Sequence, residues 1–495
     1  MNHTPNPKKN DILTLEITDL AFGGRGISRF EGRTVFINTA VPGDTVEVRV
    51  TTAKNRFIEA EVIKVISPSP DRIDPRCRHF SECGGCAWQM LTYDVQIAHK
   101  EKQVFSTVEH ISGLSDFEKQ PIMGCETPWF YRNKMEFSFG RDSEGKTVLG
   151  LHLAGRWYDI FDLEECFLGN PWNSVLVKVA RDFCLRNGLS PYIVKENRGL
   201  LRSLIIREGK NTGEIMINLV ISHEEFPKMN DFRDCMVAEC AKIFDKKLSD
   251  AFLAESLPKS RLASLYLTRF LVKKGSRHVL KEELLYGSPS IHETLTVADK
   301  TLSFEIFPQS FFQPNTRQAQ KLYTAALDLA GLSGTEMVYD LFCGTGTIGL
   351  FFAPHVQKVM GIEVNESGVS SARKNATANG ISNIEFVSAP VEQWLKSVSS
   401  GGVASDSVAT GGIPRPQVII IDPPRAGLSP RALERILALG AERIVYVSCN
   451  PATFSRDARL FTHKNYRLSA VQPVDMFPQT PHIEMVGVFI AGNHS

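Results

Sequence analysis

Cys449 closes the run Val445-Tyr446-Val447-Ser448-Cys449 and is followed at once by Asn450-Pro451. Branched and aromatic residues in that run read as a buried strand, and the proline ends it abruptly. The thiol is thereby set at the carboxyl edge of a sheet, where open α/β folds keep their chemistry. Most cysteines in cytosolic chains are small buried hydrophobes, but Cys449 has company. Pro481-His482-Ile483-Glu484-Met485 offers a carboxylate, Glu484, near the last strand, with the imidazole of His482 as its rival base. The apolar run Val418-Ile419-Ile420-Ile421 ends in Asp422-Pro423-Pro424-Arg425, an acid on a rigid loop.

A thiol and a base suit one kind of problem. Carbon 5 of uracil is too poor a nucleophile to attack the methyl of a sulfonium directly. Addition of a thiolate to carbon 6 makes an enolate that concentrates electron density on carbon 5. The methylated adduct then carries a proton on carbon 5 that a general base must remove before the thiolate leaves. Gly344-x-Gly346-x-x-Gly349 follows the strand-like Glu336–Leu341, and Glu363 ends the next strand, Val359–Glu363. Glycines let a ligand approach the backbone, and Glu363 suits two ribose hydroxyls. S-adenosylmethionine and dinucleotides share both devices, so a nicotinamide-dependent oxidoreductase is a rival reading. It leaves Asp422-Pro423-Pro424, Cys449 and Glu484 idle.

A second group of thiols lies in Cys77-Arg78-His79-Phe80-Ser81-Glu82-Cys83-Gly84-Gly85-Cys86. Three thiolates this close repel one another unless a cation holds them, and Gly84-Gly85 lets the backbone wrap it. Cys166 is the preferred fourth ligand over Cys125 and Cys184, because it follows a strand-like run and sits in a turn. Structural zinc and an iron–sulfur cluster both fit this spacing. A non-catalytic iron–sulfur RNA-binding module is therefore a further alternative.

These groups need elements to position them. At 495 residues the chain exceeds one core, and its 43% hydrophobic and 22% charged residues are those of a globular protein. A net charge of +1 restricts any nucleic-acid surface to local patches. The first residues lack the apolar core of a signal peptide, and no apolar run is long enough to span a bilayer, so a cytoplasmic protein without membrane contact is expected. Residues 1–66 alternate like short strands between glycine turns, the pattern of an OB-like β-barrel. Its Arg25, Arg29, Arg33, Lys54 and Arg56 are candidate phosphate contacts. Residues 67–300 mix hairpins and helices in an α+β domain, in which Arg132 and Lys134 are a candidate RNA contact. Residues 301–495 alternate strand and helix as a doubly wound α/β domain. A small, polar, glycine-rich stretch at 399–414 reads as an insertion without catalytic part.

Five motifs occur in order: Gln309-Ser310-Phe311-Phe312-Gln313-Pro314-Asn315, Asp340-Leu341-Phe342-Cys343-Gly344-Thr345-Gly346, Asp422-Pro423-Pro424-Arg425, Ser448-Cys449-Asn450-Pro451 and Gln479-Thr480-Pro481-His482-Ile483-Glu484. Together they resemble the RNA uracil-5-methyltransferases, in particular the 23S ribosomal RNA type with an N-terminal TRAM domain. The resemblance implies a class I methyltransferase domain at the C-terminus, Cys449 as nucleophile and Glu484 as base. It implies that Gln313, Phe342, Glu363 and Asp422 line an S-adenosylmethionine site, and that Cys77, Cys83, Cys86 and Cys166 bind a [4Fe-4S] cluster. The implied partner is RNA, ribosomal RNA first with transfer RNA as the alternative, and a monomer is expected.

Overall fold

The computed structural model describes residues 7–245, 259–272, 278–398 and 414–492. The glycine-rich stretch through residue 413 lies outside them. Strands β1 (Ile12–Glu16), β2 (Asp19–Leu20), β3 (Gly26–Phe30), β4 (Arg33–Asn38), β5 (Thr45–Ala53) and β6 (Phe57–Ser67) form one sheet in the order β1-β5-β6-β4-β3-β2. Alternate residues Leu15, Val35, Ile37, Val46, Val48 and Ile58 meet in its dry interior, as a period of two requires.

The chain then runs through the cysteine-rich segment into helix α1 (Tyr93–Ser112) and the two-residue strand β7 (Glu118–Lys119). Strands β8 (Lys134–Arg141) and β9 (Thr147–Gly150) follow, then the small hairpin β10 (His152–Leu153) and β11 (Arg156–Ile160). Helix α2 (Trp172–Arg186), strands β12 (Leu201–Glu208) and β13 (Glu214–Ile221), helix α3 (Met229–Asp245) and strands β14 (Arg261–Leu271) and β15 (Val279–Gly287) complete the middle region. Its sheet runs β15-β14-β13-β12-β8-β9. Apolar residues of α2 and α3, among them Leu176, Phe183 and Phe232, pack with those of this sheet.

Strands β16 (Ile291–Val297) and β17 (Lys300–Ile306) pair as a hairpin, and the 300/301 boundary falls between the first two residues of β17. Leu295, Val297, Leu302 and Phe304 of that hairpin share a core with helix α4 (Thr316–Ala330) and the C-terminal sheet. Strand β18 (Met337–Leu341), helix α5 (Thr347–Phe352), β19 (Lys358–Glu363), α6 (Glu366–Ala378), β20 (Ile384–Ser388) and α7 (Val391–Ser397) then alternate. So do β21 (Val418–Ile421), α8 (Pro430–Ala438), β22 (Arg443–Ser448) and α9 (Pro451–Thr462), before β23 (Tyr466–Val474) and β24 (Glu484–Ala491) close the domain. The sheet order is β20-β19-β18-β21-β22-β24-β23-β7. The strands from β20 to β22 are parallel, and β24 runs antiparallel to both β22 and β23. The expected doubly wound architecture is thus present, with two additions from earlier in the chain. Strand β7 extends its edge beside β23, and α1 buries Val104 and Val108 in its core.

Candidate active site

The strand order reverses between β18 and β21, and the crevice beyond their carboxyl ends is where an open α/β sheet binds its ligand. Phe342, Glu363 and Asp422 follow or end β18, β19 and β21, so all three stand on that edge. Phe342 turns the chain with φ of 65°. The Glu363 carboxylate accepts hydrogen bonds from the amides of Gly344 (3.1 Å) and Asn365 (2.8 Å), which fixes it beside the glycine loop. Gly346, at φ of 78°, has no room for a side chain: a Cβ there would lie 2.7 Å from the Phe386 ring. Below the loop, buried Asp340 accepts from the Gly349 amide at 2.9 Å. Burial pushes its carboxyl up to about 8.

Gln313 reaches the same domain by another route. Its carbonyl accepts from Asn133 Nδ2 at 2.8 Å, and Asn315 caps α4 by accepting from the Gln318 amide at 3.2 Å. Asn315 Nδ2 donates to the Met476 carbonyl at 3.1 Å, and Gln318 Nε2 to that of Asp475 at 2.9 Å. The segment carrying Gln313 is therefore tied to the loop that precedes Glu484.

The antiparallel direction of β24 brings Glu484 to the Cys449 thiol. Ser448 pairs with Met485 across β22 and β24, so Cys449 and Glu484 are next in register at the sheet's carboxyl edge. A parallel β24 would have delivered Glu484 to the opposite end. Asn450 caps α9, accepting from the Ala452 amide at 3.0 Å, and its Nδ2 donates to the Arg425 carbonyl at 3.3 Å. That bond joins the Cys449 turn to the Asp-Pro-Pro-Arg loop.

Electrostatics confirm the grouping. Burial pushes the Cys449 thiol up to about 11, with Glu484 and Asp422 adding to the rise and Arg425 opposing it. Burial also holds Glu484 well above the ordinary carboxylate range, reinforced by Asp422 and opposed by Arg425. Asp422 is raised to about 7 by burial. His482 faces cations instead: burial lowers its imidazole, and Arg425, Lys100 and Arg132 lower it further. Its Nδ1 lies 3.5 Å from Arg425 Nη2. Of the two sequence candidates for the base, Glu484 is the one electrostatically coupled to the thiol.

The loop before Glu484 is held by groups that sequence reasoning passed over. Lys100 of α1 donates to Asp475 Oδ1 (2.6 Å) and to the Phe477 carbonyl (3.0 Å), with both side chains of the ion pair fully buried. Tyr93 adds its hydroxyl to Asp475 Oδ2 at 2.8 Å. Gln96 exchanges two 3.0 Å hydrogen bonds with Gln479, which stands at φ of 67°. The amides of Ala87 and Trp88 donate to the Gln479 carbonyl, and Trp88 Nε1 donates to the barrel's Gly24 carbonyl at 3.2 Å. A lysine and a glutamine on an amphipathic helix read as solvated; only partners nearly four hundred residues away reveal them as buried.

Cys77, Cys83, Cys86 and Cys166 line one cavity of about 710 Å³. Burial raises all four thiols, Cys77 to about 11 and Cys86 to about 12. Cys166 further raises the other three, so the sulfurs sense one another. Among the described residues no set of three or more such ligands is arranged to hold a metal ion. The four thiols share one chamber, and their donor chemistry suits a metal centre.

A family model described as tRNA (Uracil-5-)-methyltransferase matches residues 238–492, and a TRAM domain model matches residues 8–63. The chain belongs to the tRNA (uracil-5-)-methyltransferase family. It is 36% identical over 502 residues to a Chlorobaculum tepidum protein described as an uncharacterized RNA methyltransferase, covering 97% of each chain. A Protochlamydia amoebophila protein of the same description is 37% identical over 90% of this chain and 97% of its own. The crystal structure of Pyrococcus abyssi tRNA (uracil-54, C5)-methyltransferase, in complex with S-adenosyl-L-homocysteine, superimposes with a TM-score of 0.69 at 26% identity. That match covers 96% of this chain and 99% of the other.

As a member of this family the chain is an RNA methyltransferase, and its TRAM barrel can be read for RNA contacts. Arg25 pairs with Glu59 at 2.9 Å and lies over the Phe36 ring, and Arg33 pairs with Glu31 at 3.7 Å. Arg29, Lys54 and Arg56 are exposed. Among the described residues no helix is long and apolar enough to cross a membrane.

Proposed function

We propose that this enzyme methylates carbon 5 of a uridine in RNA through a covalent adduct between Cys449 and carbon 6. The observation that carries the reading is the Ser448–Met485 pairing, which sets Cys449 and Glu484 side by side. S-adenosylmethionine supplies the methyl group on a positively charged sulfur, and Gln313, Phe342, Glu363 and Asp422 are assigned to hold it. The Cys449 thiol gives its proton to solvent as its sulfur bonds to carbon 6, and the displaced carbon 5–carbon 6 π electrons make carbon 5 the nucleophile that takes the methyl. After carbon 5 is methylated, Glu484 takes the carbon 5 proton, and the electrons of that C–H bond re-form the ring double bond as carbon 6 releases the thiolate. A carboxylate with a raised pKa is a stronger base than an ordinary one, and burial supplies that rise. Arg425 opposes the accumulation of negative charge as the thiolate forms. The target base must be unpaired or flipped to reach the thiol.

The substrate we assign is 23S ribosomal RNA, on the five ordered motifs, and the reaction is cytoplasmic because that RNA is. Transfer RNA is the second reading, favoured by the substrate of the Pyrococcus abyssi relative. Cys77, Cys83, Cys86 and Cys166 are assigned to a [4Fe-4S] cluster, which when bound cross-links two distant segments of the chain. Comparing methylated uridines in ribosomal and transfer RNA from cells with and without this protein separates the substrates. Glu484→Gln is expected to accumulate an RNA adduct on Cys449 that survives denaturation, with turnover reduced about 10²–10⁴-fold. Free release of methylated product by that variant would remove Glu484 from the role of base.

A further inference from the structure

Two aromatic side chains stand in water where nothing in the active site uses them. Trp157 is 66% exposed and Tyr158 53% exposed, both on strand β11 of the small hairpin. Isolated surface hydrophobics are ordinary, but these rings touch edge to face with centroids 4.7 Å apart. The Lys195 ammonium sits 4.3 Å from the centre of the Tyr158 ring. Arg156 precedes Trp157 and pairs loosely with Asp159 at 3.4 Å.

The hairpin is also held in place. Leu153 bridges to Cys83, the Gly84 amide donates to the His152 carbonyl, and the Ala154 amide donates to that of Glu82. Trp157 lines the cysteine cavity, together with Arg132, Lys134 and Pro314. Arg156 also lines it, so three cations face the carboxylates of Glu136 and Glu165 there. Arg132 leads from this cavity to the chemistry. Its backbone bridges to Asn315, beside the Gln313 segment, its charge is felt by His482, and its Nε is buried without a hydrogen-bond partner.

We propose that the β10–β11 hairpin is a stacking platform for an unpaired nucleotide of the RNA substrate. The strand leaves the Cys449 site past Arg132 and Lys134 and lays a base on Trp157. Aromatic faces accept any base by stacking, while neighbouring cations neutralise the phosphates. A cation over the Tyr158 ring and further cations lining the cavity beside Trp157 favour a nucleic acid over a protein partner. The inference rests on RNA being the substrate, and its test is independent of turnover.

Trp157 is the most exposed of the five tryptophans: Trp88, Trp172 and Trp394 are buried and Trp129 is partly buried. Titration with single-stranded oligouridylate, and then with ribosomal RNA, is expected to quench tryptophan emission, and Trp157→Phe to abolish that change. Trp157→Ala is expected to weaken RNA binding roughly tenfold, raising KM with kcat unchanged. Its salt dependence should stay parallel to wild type, because stacking releases no counterions, and Trp157→Phe should restore affinity. Lys195→Gln should instead flatten the salt dependence. Unchanged emission on RNA binding, or full affinity in Trp157→Ala, overturns the platform while leaving the proposed methylation intact. Emission that changes with protein concentration alone assigns the hairpin to self-association and overturns it too. Absence of methyl transfer by wild type refutes the proposed reaction, and quenching still decides the platform.

Discussion

Cys449 and the four cysteines of the cavity are the same chemical group in two settings. Each is pushed above the ordinary thiol range, Cys449 and Cys77 both to about 11. Burial is the first cause in both places, but the neighbours differ. Cys449 stands among two carboxylates and Arg425, on a turn fixed by a capped helix. The cavity thiols stand among one another, with Arg132 lowering Cys83, Cys86 and Cys166. On the proposed assignment, thiols beside one another are ligands that a bound cation would ionise. A thiol beside an acid and a base is prepared for proton traffic, and it ionises as it forms its bond.

The largest predicted effect would separate the two classes outright. Cys449→Ala is expected to lower methyl transfer by at least about 10⁴-fold and to eliminate the RNA adduct. Cys86→Ser is expected to keep the adduct while losing bound metal and several degrees of melting temperature. Adduct mass spectrometry with metal analysis reads both. An adduct in Cys449→Ala, or its complete loss in Cys86→Ser, would erase the distinction, and stoichiometric zinc in the wild type would replace the iron–sulfur assignment.

Between the two regions lies the loop Asp475–Thr480, clamped by α1 on one side and by Ala87 and Trp88 on the other. Lys100→Ala leaves Asp475 as a fully buried carboxylate without its cation. Breaking such a pair costs about 3–5 kcal/mol, measurable by denaturant unfolding, and turnover should fall with it as the loop before Glu484 loosens. Unchanged stability would mean that the Tyr93 hydroxyl and the Phe477 amide suffice for Asp475.

That clamp marks the limit of what the sequence carries. The strands under Cys449, Asp422 and Glu363 were legible because parallel strands buried on both faces read as unbroken apolar runs. The barrel was legible from its alternation and glycine turns. Cys449 and Glu484 could be named, but their adjacency comes from β24 inserting antiparallel between β22 and β23, a fact of topology with no local signature. Glu118-Lys119 carries no apolar signal at all, yet pairs as β7 because the edge of β23 offers backbone partners. Trp157-Tyr158 carries no signal of its own in the sequence, because exposure depends on what fails to pack against the rings.

The smallest predicted effect tests the electrostatics that distinguish Cys449. Alkylation by iodoacetamide follows the thiolate fraction, so the free enzyme should react slowly at neutral pH and accelerate as pH climbs towards about 11. The Glu484 carboxylate disfavours the thiolate, so Glu484→Gln should lower the thiol's pKa and speed alkylation at a fixed alkaline pH. Arg425→Gln removes the favourable charge and should do the opposite. Neither Glu484 nor Arg425 is among the charges that shift the cavity thiols, so neither substitution should alter their labelling, followed peptide by peptide by mass spectrometry. If both substitutions shift Cys449 in the same direction, accessibility rather than charge governs its reactivity. The proposed contrast between a thiol governed by its neighbours' charge and thiols assigned to a shared metal would then fail.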